Sequence, residues 1–167
     1  MRIAFTCGLA ACLLLAPPLT RAAESPATIS PASTVTLTTA ALEGLVRTHV
    51  SGSIHGGPVM DFEGVALMDV LRKAGAVADG KLTGRAMANV VRVTATDGYT
   101  AAFSIAELSP DVGAGTVIVA DKANGKAIEA TDGPFRLVVP GDRRPARWVR
   151  QAVRLDVFDL GQARAGH

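Results

Sequence analysis

Five arginines crowd one short stretch near the C-terminus: Arg143, Arg144, Arg147, Arg150 and Arg154. A guanidinium stays charged and grips a phosphate or carboxylate through two parallel N–H bonds, so several on one loop can anchor a small anion. The alternative is structural: they cap strand ends or pair with Asp142, Asp156 and Asp159, surface pairs worth about 0–1 kcal/mol each. Arg136 differs, because it interrupts the apolar run 135–139 and must find a partner, an acid for preference, if that run is buried. Tyr99 adds a phenolic hydroxyl able to donate to a ligand, although as a strand residue after Asp97-Gly98 it also reads as a cross-strand packer. Trp148, the single tryptophan, reads as a core plug with its indole N–H satisfied. His49 and His55 lie six apart with no Cys, Asp or Glu at ligand spacing, which makes a poor metal site. Gly56-Gly57 and Gly113-Ala114-Gly115 match neither the phosphate-loop nor the dinucleotide pattern.

These residues need elements to hold them. Asp132-Gly133-Pro134 is a turn signal, 135–139 a short strand, and Pro140-Gly141 its stop. Beyond the arginines, Val153, Leu155 and Val157 alternate with Arg154 and Asp156, the period of a strand with one buried face. The layout is strand, arginine-rich loop, strand. Upstream, Val35 and Leu37 open the folded part, followed by a short helix over 40–46, a strand over 47–54 with Val50 inward, and a strand over 59–62 that Glu63-Gly64 turns. Leu67, Val70, Leu71 and Ala74 repeat at helical spacing, with Gly75 placed to end that helix. The run 89–96 alternates as a strand. Asp97-Gly98 predicts a type I′ hairpin turn with positive φ at both residues, and 99–103 the returning strand. Ser104 and Glu107 have the spacing of a capping box. A strand over 116–120, a hairpin turn at Asn124-Gly125 and a partner strand over 126–129 complete the set. The predicted class is α+β, with a mixed, mainly antiparallel sheet and a few short helices.

The chain has 167 residues, room for one domain with a real core, and at 49% apolar and 19% charged it is no disordered tail. Residues 1–22 read as a cleaved signal peptide: Arg2, the apolar run 3–16, then Thr20-Arg21-Ala22 as the cleavage site. The apolar run is too short to span a membrane and is broken by Pro17-Pro18. Residues 23–34 read as a flexible linker, 35–160 as the folded domain and 161–167 as a disordered tail. Removing Arg2 and Arg21 from 17 basic residues leaves 15 against 15 acidic. A neutral domain with one basic patch suits a small anion, whereas nucleic acid requires a broader positive footprint. Cys7 and Cys12 both lie in the leader, so the mature chain would carry no thiol. Leu9-Ala10-Ala11-Cys12 matches a lipoprotein box, but the apolar run continues past Cys12, which favours a periplasmic or secreted protein over a lipoprotein.

Several runs together resemble the oxidoreductase molybdopterin-binding domain family, the fold of sulfite oxidase and its bacterial relatives. They are G-P-F-R-L-V-V-P at 133–140, R-W-V-R at 147–150, G-V-A-L-M-D-V-L-R-K-A-G at 64–75, and D-G-Y at 97–99 followed by F-S-I-A-E-L at 103–108. The resemblance covers about 35–157 and implies a molybdopterin cofactor whose phosphate basic side chains hold, here Arg143, Arg144, Arg147 and Arg150, with Arg136 and Tyr99 beside them. It also implies a cysteine thiolate on the molybdenum, to be found within 47–55, where this chain has none. Ser51, a hard neutral oxygen, is a poor substitute. Nor is there a twin-arginine pair in the leader, so export is expected of an unfolded chain without cofactor.

The expectation is therefore an exported domain of this fold with no bound metal cofactor, binding a small anionic or pterin-like ligand or a periplasmic protein. The alternatives are a minimal molybdopterin-dependent oxidoreductase with Ser51 or His49 on the metal, and a purely structural interaction protein.

Overall fold

The computed structural model describes residues 29–113 and 115–162. The leader, its cleavage site, Cys12 and most of the predicted tail lie outside them.

Among the described residues, nine strands form two sheets. The first contains β1 (Ser33–Thr36), β9 (Ala152–Phe158), β4 (Val90–Ala95) and β5 (Thr100–Ser104), in that order. The second orders β2 (Arg47–Ser53), β3 (Val59–Ala66), β6 (Ile118–Ala123) and β7 (Lys126–Ala127), with β8 (Arg136–Val138) also on β6. Every described pairing is antiparallel. The predicted α+β class holds, with the strands shared between two sheets. Three short helices connect them: α1 (Thr39–Leu42), α2 (Leu67–Lys73) and α3 (Ile105–Leu108). No described helix is long and apolar enough to cross a membrane.

The inward faces merge into one core. Val91, Val93, Phe103, Leu155 and Val157 come from the first sheet, Phe62, Val65, Ile118, Val119 and Leu137 from the second, and Leu67, Val70 and Leu71 from α2. Helix α2 ends as its spacing predicts, with Gly75 at φ +68° just past the last turn.

Three local expectations are corrected. Glu63-Gly64 does not turn the chain: β3 runs through to Ala66, with a bulge at this point opposite β6. Glycine is needed there because a Cβ at position 64 would lie 2.1 Å from the Val119 carbonyl oxygen, a close approach within a sheet. At Asp97-Gly98 only Gly98 has positive φ, and the Gly98 N–H bonds Ala95 O at 3.1 Å, so this is a tight turn followed by a glycine bulge instead of type I′. Asn124-Gly125 supplies the primed turn instead, with φ +50° and +74° between the paired Ala123 and Lys126. Finally, the capping box is half made. Ser104 Oγ accepts from Ala106 N at 3.2 Å, while Glu107 reaches across to Arg147. Two helical and strand boundaries also move: α1 stops at Leu42, and the strand predicted over 116–120 is Ile118–Ala123.

Candidate functional site

The arginines of the C-terminal stretch do not converge. Arg147 is fully engaged: Nε and Nη2 grip Asp142 at 3.0 and 2.6 Å, Nη1 meets Glu107 at 3.1 Å, and the guanidinium stacks 4.6 Å from the Phe103 ring centre. The Asp142 hydrogen bonds hold its proton more firmly than usual, against a smaller opposing effect of burial. Arg154 packs on Asp156 with Arg92, at 3.2 and 2.9 Å, where Thr34 Oγ1 adds a third bond at 2.9 Å. Asp156 is 2% exposed; burial would raise its pKa, but these donors outweigh it and hold the carboxyl below the usual range. Of the three predicted acidic partners, Asp142 and Asp156 are used, and Asp159 forms no ion pair among the described residues. Arg143, Arg144 and Arg150 are exposed and form no ion pair among the described residues. Tyr99 is exposed on β5's approach, and its hydroxyl donates to Ala146 O at 2.5 Å, fastening the arginine turn to the β4–β5 hairpin.

Arg136 is placed differently. It is 6% exposed, pairs through Nη1 with Asp132 Oδ2 at 2.6 Å, and its Nε is buried with no partner. Desolvation loosens its proton, partly offset by Asp132 and reinforced by the positive charge of nearby Arg150. Such a donor is costly to leave unmade, of order 1–3 kcal/mol. Arg136 and Asp132 form one wall of a cavity of about 570 Å³. Met60 and Phe62 of β3, and Ala123, Lys126, Ala127 and Ile128 of the β6–β7 hairpin, form the rest, with Asn124 and Glu129 at its edge. The hairpin is pinned to β3 by Asn124, whose N–H donates to Asp61 O at 2.7 Å and whose Oδ1 accepts from Asp61 N at 3.0 Å. The result is a mixed hollow: Met60, Phe62, Ala123, Ala127 and Ile128 supply apolar surface, and Asn124, Lys126, Glu129, Asp132 and Arg136 supply polar groups, a composition that suits a small molecule.

Strand parity decides the fate of the β2 candidates. Gly52 pairs with Met60 and Val50 with Phe62, so these four share the face that borders the cavity. His49 and Ser51 pair with Glu63 and Asp61 on the opposite face. There His49 Nδ1 lies 3.0 Å from Asp61 Oδ2, and both side chains are well exposed. Neither residue offered above as a metal ligand faces the cavity. His55 takes positive φ in the β2–β3 turn. On the cavity side, Gly52 is covered by Trp148: a Cβ there would meet Trp148 Cη2 at 2.3 Å. The indole packs edge-on to Phe62, 5.7 Å between centres at 89°, and Nε1 donates to Val139 O at 2.9 Å. Trp148 is the satisfied core plug its sequence context predicts.

The fold is an antiparallel α+β domain with a cleft between β3, the β6–β7 hairpin and β8. The sequence pattern described as "oxidoreductase molybdopterin binding domain" matches residues 33–160, and the chain belongs to that family. Among curated proteins, none matches the chain.

The cofactor that the family implies has two parts, and the residues here treat them differently. Arg136 on the cavity wall, with Lys126 in the same lining and the charge of Arg150 nearby, offers cations to the anionic pterin portion. The metal portion finds no thiolate in β2, no room at Gly52, and no group of three His, Cys, Asp or Glu side chains among the described residues. Sequence reasoning placed Arg136 among the candidates but centred the site on the 143–150 loop. The signal for the cavity was present in Arg136 itself, a charge inside an apolar strand.

Proposed function

We propose that this chain is an exported, non-catalytic member of its family that binds a small anionic, pterin-like ligand without a protein-ligated metal. The desolvated Arg136 guanidinium on the cavity wall, ion-paired only with Asp132 among the described residues, carries this reading. A ligand phosphate or carboxylate seated beside Arg136 pairs with its guanidinium, with Lys126 of the lining and nearby Arg150 set against Asp132 and Glu129. The flat heterocyclic body of the ligand then lies against Met60, Phe62 and Ile128. Arg150 approaches from the neighbouring loop, while Arg143 and Arg144 remain free to face a periplasmic partner. Export follows from the apolar leader read in residues 1–22.

The test is a titration with 6-hydroxymethylpterin phosphate, followed by the pterin's own fluorescence anisotropy. Saturable one-site binding is expected, weakened at least thirtyfold in Arg136→Met and several-fold in Arg150→Ala, with Arg147→Ala unchanged. No binding by the wild type, or equal binding by Arg136→Met, overturns the assignment.

A further inference from the structure

Strand β5 closes the first sheet on one side and pairs only with β4. Two bonds at the ends of that pairing fix its phase: Ala95 N–H to Tyr99 O and Ile105 N–H to Asn89 O, both 2.9 Å. Antiparallel strands bond at alternate residue pairs, so Ala101 and Phe103 bond to β4 while the N–H and C=O of Thr100 and Ala102 point away from it. No hydrogen bond among the described residues uses those outward groups, and both residues are exposed. The strand reads Thr100-Ala101-Ala102-Phe103-Ser104, with neither the charge nor the proline that usually keeps a sheet edge from pairing with another chain. The edges of the second sheet differ: β2 carries Arg47 and His49, β7 is two residues long, and β8 donates from Leu137 N–H to Val149 O at 2.8 Å. β1 is as plain as β5, but the arginine paired with its end, Arg154, is committed to Asp156.

Beside β5 the arginines are uncommitted. The Tyr99 hydroxyl, just before the strand, donates to Ala146 O at 2.5 Å and ties the 143–147 turn to the start of β5. Arg147 in that turn is spent on Asp142, Glu107 and the Phe103 ring, whereas Arg143 and Arg144 are exposed and form no ion pair among the described residues. Asp97, the acid of the hairpin turn, accepts from Tyr99 N–H at 2.9 Å. We propose that the free edge of β5 is a docking site for an extended acidic segment of a partner protein, which adds a strand to the first sheet. Backbone bonds to Thr100 and Ala102 set the register of the added strand, and acidic side chains at its Tyr99 end meet Arg143 and Arg144. A second copy of this chain fits less well, because its own β5 carries no acid to meet them. The edge shares no residue with the Arg136 cavity, so the proposal stands apart from the ligand reading.

The experiment titrates the folded protein into fluorescent peptides with an alternating valine–threonine core, followed by a run of glutamates or a run of lysines, and reads anisotropy. The charged run is C-terminal because a strand added antiparallel to β5 ends beside Tyr99. Saturable binding of the glutamate peptide is expected, about fivefold or more tighter than that of the lysine peptide, and reversing both charges in Arg143→Glu with Arg144→Glu should remove that preference. Ala102→Pro deletes an outward N–H without breaking a bond to β4, and should weaken the glutamate peptide by about tenfold or more. If Ala102→Pro fails to fold, amide exchange in the wild type reads the same contact: the glutamate peptide should slow exchange at Thr100 and Ala102 by about tenfold. Equal binding by folded Ala102→Pro, or unchanged exchange at both amides, means attraction by the arginines alone and overturns the strand site. No binding of the glutamate peptide by the wild type overturns the proposal. So does self-association of the wild type that Ala102→Pro abolishes, because that result assigns the edge to a second copy.

Discussion

The Arg136–Asp132 pair should respond asymmetrically to loss of its two members. Arg136 is nearly sealed from solvent, its Nε has no partner, and Asp132 provides its only described ion pair. The Asp132 side chain is 39% exposed and can hydrate when left alone. Asp132→Asn therefore strands a buried cation. Breaking a buried pair this way costs about 3–5 kcal/mol, and partial access to water at Asp132 puts the expected loss near 3 kcal/mol. For a domain of this size that is roughly a 10 °C fall in Tm, at about 3–4 °C per kcal/mol. Arg136→Met removes the desolvated charge and its orphaned donor together, and fills the space with apolar atoms. Its expected effect on stability lies between about zero and a gain of ~2 kcal/mol. The assay is urea unfolding of both variants at neutral pH, followed by far-ultraviolet circular dichroism. The diagnostic result is a less stable Asp132→Asn beside an equally or more stable Arg136→Met that no longer binds ligand. Such a pattern marks a charge kept for binding at the expense of the fold. If Arg136→Met is the more destabilised of the two, the ion pair is a structural brace and the reasoning is refuted.

Other consequences are sharper in sign than in size. Gly64→Ala places a methyl 2.1 Å from a backbone oxygen that cannot yield, and should cost more than about 3 kcal/mol or prevent folding. Gly52→Ala meets a side chain and should cost about 1–3 kcal/mol; thermal melts of both rank them. Arg147→Ala should lower stability by about 1 kcal/mol through its Asp142 and Phe103 contacts, whereas Arg143→Ala and Arg144→Ala should stay within about 0.5 kcal/mol of the wild type in the same melts. Asp156 has a folded pKa below its unfolded value of about 3.9, so its stabilising contribution is complete above that value and is lost as pH falls through the folded one. Unfolding free energies measured from pH 6 to pH 2 should show an acid slope that Asp156→Asn reduces; an unchanged slope contradicts the assignment.

Much of the fold is readable where local chemistry and tertiary demand agree. The spacing of Leu67, Val70 and Leu71 with Gly75 behind them makes α2, and the alternation of 90–95 makes β4, because each burial period fits one element. The sequence misleads where a residue serves a distant neighbour. Gly64 reads as a turn because its reason, the Val119 backbone across the sheet, lies 55 positions away in the chain. Glu107 reads as a cap because Arg147 is invisible from its own helix. The same limit governs the site. Proximity in sequence suggested one arginine cluster, yet the turn after β8 sends Arg147 toward α3 and leaves Arg136 facing the cavity. The parity that turns His49 and Ser51 away depends on the β2–β3 register, which no local pattern fixes. Two signals were available locally: a charge within 135–139 and an isolated glycine within 47–54.

The proposed state of this family domain is one that binds its ligand without a protein-held metal. Metal and pterin analysis of the protein purified from its native location tests it most directly. The expected result is molybdenum far below one equivalent, with or without a co-purifying pterin or other small anion. Stoichiometric molybdenum together with a pterin would contradict the account and require a metal ligand that neither Gly52, His49 nor Ser51 supplies.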